Sequence, residues 1–168
     1  MAGDLYVSWD QYNADVERLA TALRDTRWPF NQVICIARGG MRVGDVISRI
    51  FKVPLAVIST QSYSGKAGTE RGELTVARQI TMAQEHLGDK VILVDDLVDS
   101  GITLDVVKRH LLEQYPVITE IRTAVLWYKA VSNYRPDYYV HYLTESPWIH
   151  QPFEKYDLMK AEDLPRSA

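Results

Sequence analysis

A single cysteine, Cys35, occurs in the 168 residues, which excludes an intramolecular disulfide and fits a reducing compartment. Basic runs are missing as well. Lysine and arginine are dispersed and the formal net charge is −3, so the chain offers no sequence-independent footprint for a nucleic-acid backbone. No apolar run approaches a membrane span, and the opening Met1-Ala2-Gly3-Asp4-Leu5-Tyr6 lacks the charged and apolar regions of a signal peptide. Neither nucleic acid nor a membrane is therefore an expected partner, and a cytoplasmic location is expected. Internal repeats and low-complexity segments are also absent. What is there is a composition 46% hydrophobic, long enough for one well-buried core and short for two, so residues 1–168 are read as one domain.

The most informative stretch runs from Val91 to Thr103. Val91-Ile92-Leu93-Val94 is apolar and largely β-branched, as in a strand buried on both faces, and it leads directly into Asp95-Asp96. Ser100-Gly101-Ile102-Thr103 follows, and then Leu104, Val107 and Leu111 at helical spacing. A strand, a short loop and a helix start in this order form a phosphate cradle. Free N–H groups and the helix dipole favour an anion, Gly101 admits close backbone approach, and Ser100 and Thr103 add hydroxyls. Carboxylates beside such a cradle repel the phosphate itself and so belong to hydroxyls or a metal. A sugar phosphate satisfies both halves.

The same grammar recurs along the chain. Leu5-Tyr6-Val7 reads as a short edge strand, and Ser8 to Gln11 has capping-box spacing before a helix whose apolar face is Tyr12, Val16, Leu19, Ala20 and Leu23. Trp28-Pro29-Phe30 ends that helix. Val33 to Ala37 is a second buried strand, broken by Arg38-Gly39-Gly40 before a helical pattern at Val43, Val46, Ile47 and Ile50. Cys35 lies in that strand with no base beside it in sequence and reads as a small buried hydrophobe. Leu55 to Ile58 is a third strand, Gln61 to Gly72 a long loop, and Leu74 to Met82 an extended ribbon. Ile121 to Trp127 and Tyr138 to Tyr142 supply two more strands. Strands alternating with helices predict an α/β fold with a mainly parallel sheet, flanked by helices, that binds ligands at the carboxyl ends of its strands.

The stretch Val91 to Thr103 resembles the phosphoribosyl-pyrophosphate (PRPP) motif of type I phosphoribosyltransferases. The resemblance implies that fold, with a small C-terminal hood at about 143–158. It implies that Asp95 and Asp96 meet the ribose hydroxyls, that Asp99, Ser100, Gly101, Ile102 and Thr103 hold the 5′-phosphate, and that Mg2+ accompanies PRPP, with Asp96 nearest the metal. Arg38-Gly39 matches the pyrophosphate loop, where the family often has a non-proline cis peptide, here Ala37-Arg38; on its own the segment favours an ordinary glycine turn with a surface arginine. Ser62-Tyr63 resembles the start of the family's mobile loop over PRPP, and Arg71 its phosphate-reaching arginine. The alternative for these three is a solvated loop. Lys66 has no assignment.

Within the family the resemblance is to bacterial xanthine-guanine enzymes, through Tyr6-Val7-Ser8-Trp9-Asp10 and Trp148-Ile149-His150-Gln151-Pro152. It implies a 6-oxopurine base, with Asp99 near N7 as the catalytic acid or base, Lys129 donating to O6, Trp148 stacking, and backbone at Ile149 reading the 2-position. The bland alternatives are an N-cap for Asp99, a strand-end surface lysine for Lys129 and a core tryptophan for Trp148. Three departures stand out: a longer loop at 62–78, Ile102 in place of a glycine, and an unmatched tail from Phe153. The expected activity joins guanine, xanthine or hypoxanthine to PRPP, giving the nucleoside 5′-monophosphate and pyrophosphate in purine salvage, in a homodimer or homotetramer. The rival readings are a PRPP- or nucleotide-binding regulator on the same fold and a transferase for another base.

Overall fold

In the computed structural model, which describes residues 3–62 and 74–165, five parallel strands lie in the order β3 (Leu55–Ser62), β2 (Gln32–Ala37), β6 (Lys90–Val94), β8 (Glu120–Lys129) and β9 (Tyr138–Leu143). Two short strands, β4 (Leu74–Val76) and β5 (Thr81–Met82), pair antiparallel with β3. The ribbon expected over 74–82 is therefore two strands with a break between them. β3 also runs further than its apolar core, so Gln61 and Ser62 belong to a strand rather than to the expected loop. Ladder pairing with Thr75 and Leu74 overrides their polarity.

The four residues Val91 to Val94 are fully buried, as are Val33, Ile34 and Cys35, because helices cover both faces of the sheet. On one face lie α1 (Trp9–Thr26) and α2 (Gly40–Phe51), packed with Val33, Ile92, Val94 and Leu126. On the other lies α3 (Ile102–Gln114), packed with Ile34, Ile36, Val91 and Leu93. α3 buries Leu104, Val107 and Leu111, the spacing the sequence shows. In α2, Ile50 departs from expectation and stays half exposed, while Gly40 and Gly44 are buried in its place.

At the start of α1, Ser8 Oγ accepts from the Gln11 N–H at 3.1 Å, half of the expected capping box. Gln11 does not reach back. Its side chain turns the other way and donates to the buried Asp15 carboxylate (3.0 Å), a charge-assisted bond. Asp15 also lies 2.9 Å from His141 Nε2 on β9. β1 (Leu5–Tyr6) is not an edge of the main sheet. It pairs in parallel with β10 (Ile149–His150), which leads to a single-turn α4 (Lys155–Leu158) and a 3₁₀ turn at Ala161–Asp163. A strand this short finds its partner through tertiary contact, which local pattern does not show.

Candidate active site

In chain order the five parallel strands run 2-1-3-4-5 across the sheet, so the direction of winding reverses between β2 and β6. A crevice opens at such a reversal, at the carboxyl ends of the strands. Arg38-Gly39-Gly40 leaves β2 there and Asp95-Asp96 leaves β6 there. The two turns touch: a Cβ on Gly39 would come within 2.6 Å of the Asp96 carboxylate, and one on Gly40 would collide with the Val94 carbonyl. Glycine at both positions is what lets them meet. The Ala37–Arg38 peptide is cis, as the resemblance implies.

Asp95 and Asp96 interrupt a continuous edge. Beyond them β7 (Leu97–Val98) resumes beside β8 in unchanged register, Val94 opposite Ala124 and Leu97 opposite Trp127. Each carboxylate is tied locally: Asp95 Oδ1 accepts from the Asp96 N–H (2.9 Å) and Asp96 Oδ1 from the Leu97 N–H (2.7 Å). Burial, and then the charge of Asp96, push the Asp95 carboxyl well above the usual range.

The loop 99–103 encloses a cavity of about 180 Å³ together with Asp95, Leu97 and Val98. Gly101 is the N-cap of α3 with φ +84°, a left-handed conformation that glycine adopts without strain. Ser100 Oγ accepts from the Ile102 N–H at 3.4 Å. Asp99 does not cap the helix. It lies 3.5 Å from Lys129 Nζ, at the far end of β8. Lys129 is the last residue of that strand and only 6% exposed, so it is not a surface lysine. The two residues assigned from the resemblance to N7 and O6, atoms side by side on one edge of a purine, are thus neighbours beside the cradle.

Other assigned residues are dispersed. Trp148 is 64% exposed and, with Tyr6 and His150, lines a cavity of about 650 Å³ whose wall also includes Gln151, the partner of Asp96, and Asp157, the partner of Arg38. It is not a core tryptophan. Ile149 is buried in the core, so only its backbone is open to a ligand. Arg38 is exposed and lies 3.5 Å from Asp157 of α4. Ser62 ends β3, and Tyr63, Lys66 and Arg71 lie outside the described residues.

Two groups at the site carried no assignment from sequence. Gln151 Nε2 donates to Asp96 Oδ2, and the Tyr12 hydroxyl is buried without a hydrogen-bond partner among the described residues. Burial and the charges of Asp96 and Asp95 raise the Tyr12 phenol's pKa, whereas Arg42 opposes them. Period-two alternation across Trp148, Ile149, His150 and Gln151 was the available signal for Gln151, since it puts Gln151 on the inward face with Ile149.

Fold and crevice define an α/β protein with a ligand crevice at the carboxyl ends of a parallel sheet, and comparison with known proteins gives its family. Residues 8–157 match the model of the phosphoribosyl transferase domain, and the chain belongs to that family. It is 28% identical over 149 residues to the xanthine-guanine phosphoribosyltransferase of Gluconobacter oxydans, covering 88% of this chain and 83% of that one. It also resembles the crystal structure of a purine phosphoribosyltransferase from Pyrococcus horikoshii, with 30% identity, a TM-score of 0.74, and 90% and 94% of the two chains covered. The Helicobacter pylori xanthine-guanine-hypoxanthine enzyme, at 23% identity and a TM-score of 0.75, shares the fold over 92% of this chain and 96% of its own.

Proposed function

We propose that this protein transfers the 5-phosphoribosyl group from PRPP to a 6-oxopurine, releasing pyrophosphate and forming the nucleoside 5′-monophosphate. The observation that carries the reading is the Asp99–Lys129 pair, 3.5 Å apart beside the phosphate cradle. Lys129 has only hydrogen-bond donors, so it accepts a purine O6 and rejects the amino group of adenine. Asp99, more than half exposed, is open to the N7 proton. General acid or base help of this kind is worth ~10²–10⁴ in rate.

In this reading the N–H groups of the loop 99–103 hold the 5′-phosphate, Asp95 and Asp96 orient the ribose hydroxyls, and Arg38 with the loop after β2 faces the pyrophosphate. Holding the anomeric carbon in line with the base supplies much of the rate. Among the described residues no three His, Cys, Asp or Glu side chains gather as a metal cage. The carboxylate of Asp96 suits a Mg2+ that would take its other ligands from water and substrate oxygens. Bound there, it would neutralise charge building on the leaving pyrophosphate.

Residues 1–168 act in this reading as one domain, with the β1–β10 pair and α4 as its hood. The half-exposed Tyr156 and Leu164 and the highly exposed Leu158 support assembly into a homodimer or homotetramer. No helix among the described residues is long and apolar enough to cross a membrane. With a lone buried cysteine, that supports a cytoplasmic enzyme.

The test is pyrophosphate release from PRPP and Mg2+ with guanine, xanthine, hypoxanthine, adenine or orotate, one base at a time. Release with 6-oxopurines and none with adenine is expected. Release with adenine or orotate alone would make this a transferase for another base. Silence with all five, with PRPP still bound, would favour a regulator.

A further inference from the structure

Gln151 follows β10 directly and is 6% exposed. Its amide nitrogen donates to Asp96 Oδ2, while its amide oxygen is buried with no partner among the described residues. The orientation is forced, because the opposite flip would set the amide oxygen against a carboxylate. A buried acceptor left unpaired is a cost that packing alone would remove by placing Leu or Met here. Asp96 Oδ1 is already held by the Leu97 N–H, so Gln151 supplies the second of two fixed donors that lock the carboxylate plane.

Gln151 is itself anchored. Phe153, two residues on, packs 5.8 Å from the Tyr12 ring, and the Arg42 guanidinium lies 4.2 Å over it. Arg42 belongs to the first turn of α2, directly after the loop that meets Asp96. The aim of Asp96 is thus set from β6, from α2 and from the C-terminal segment together.

We propose that Gln151 is a positioning residue for PRPP: it fixes the rotamer of Asp96 so that the remaining lone pairs face the crevice between β2 and β6. This rests on the transferase reading above and gives the C-terminal segment a role at the ribose as well as at the base.

The experiment compares Gln151→Glu and Gln151→Met, both close to glutamine in size. PRPP affinity in the presence of Mg2+ is read by calorimetry without base, beside the KM of the base and the thermal melting of the free protein. Loss of one charge-assisted hydrogen bond weakens PRPP binding about 10- to 100-fold in Gln151→Met. Gln151→Glu, which sets like charges together, weakens it further. The KM of the base stays within about threefold, since that contact is untouched. In an Asp96→Asn background the Gln151→Met step should cost little more, because the carboxylate it serves is gone.

Wild-type PRPP affinity in both variants overturns the inference alone. So does an equal loss of affinity with Asp96 intact and in the Asp96→Asn background, or a loss that follows melting temperature and base KM. Failure of the unmodified protein to bind PRPP overturns the transferase reading, and this inference falls with it.

Discussion

Lys129 combines burial with a side chain that can only donate, and this makes its chemistry testable at the scale of one side chain. Its ammonium is compensated at 3.5 Å by Asp99, whose own side chain is open to the crevice. Lys129→Met keeps the stem and removes the donor. We expect the preference for a 6-oxopurine over adenine, measured as the ratio of kcat/KM values, to fall about 10- to 100-fold. Asp99→Asn removes proton control and leaves the phosphate loop intact, so kcat should fall by ~10² or more while PRPP affinity changes little. A collapse of PRPP binding in Asp99→Asn would assign that residue to the phosphate instead. Both residues stood in the sequence as candidates, with surface lysine and N-cap as alternatives. The fold removed those two alternatives, because burial at the end of a strand depends on what the neighbouring elements cover.

At the scale of elements, the loop between β7 and α3 shows how one backbone angle sets a site. Gly101 at φ +84° turns the chain so that the first turn of α3, with Thr103 and Leu104, lines the cavity. A Cβ there would be strained, and it would meet Ser132 Oγ at 2.6 Å and the Tyr134 side chain. Gly101→Ala should therefore lose roughly 1–3 kcal/mol of stability and bind PRPP more weakly. Denaturant titration and calorimetry with PRPP check this. A variant with unchanged stability and affinity would show that the loop N–H groups do not grip the phosphate. The glycine and the helix start were legible as a pattern of small residues before an i, i+3, i+7 apolar series. The pairing of β1 with β10 was not, since two-residue strands far apart in sequence carry no periodicity of their own.

The whole molecule keeps its one thiol in the sheet between two helical layers. Burial pushes the Cys35 thiol from 9.0 up to about 11. In the unfolded chain the thiol ionises near its ordinary value, so the folded form is favoured by a protonated thiol. That contribution is complete below about pH 9 and is lost as pH rises towards 11, on the order of 2–3 kcal/mol. Urea unfolding of the wild type and Cys35→Ala at pH 8.5 and 10.5 isolates it from the tyrosines and lysines that titrate in the same range. The wild type should lose more stability across that interval than the variant. Equal losses would mean that the Cys35 thiol titrates alike in the folded and unfolded chain.

Along this chain, the elements that depend on near neighbours were determined by the sequence itself. The buried strands, the α3 face and the order of strand, acidic pair, loop and helix all follow from side-chain size, charge and backbone preference within a few residues. That ligands belong at the carboxyl ends of the strands followed too, whereas the reversal between β2 and β6 that opens the crevice depends on strand order, which is set by how the layers pack. Only the tertiary structure decided that Lys129 meets Asp99, that Gln151 holds Asp96, that Asp15 faces His141, and that Trp148 shares a cavity with Tyr6, His150 and Gln151. Each of these contacts joins residues far apart in sequence, and whether a polar side chain is buried, paired or exposed depends on the packing of all the layers at once.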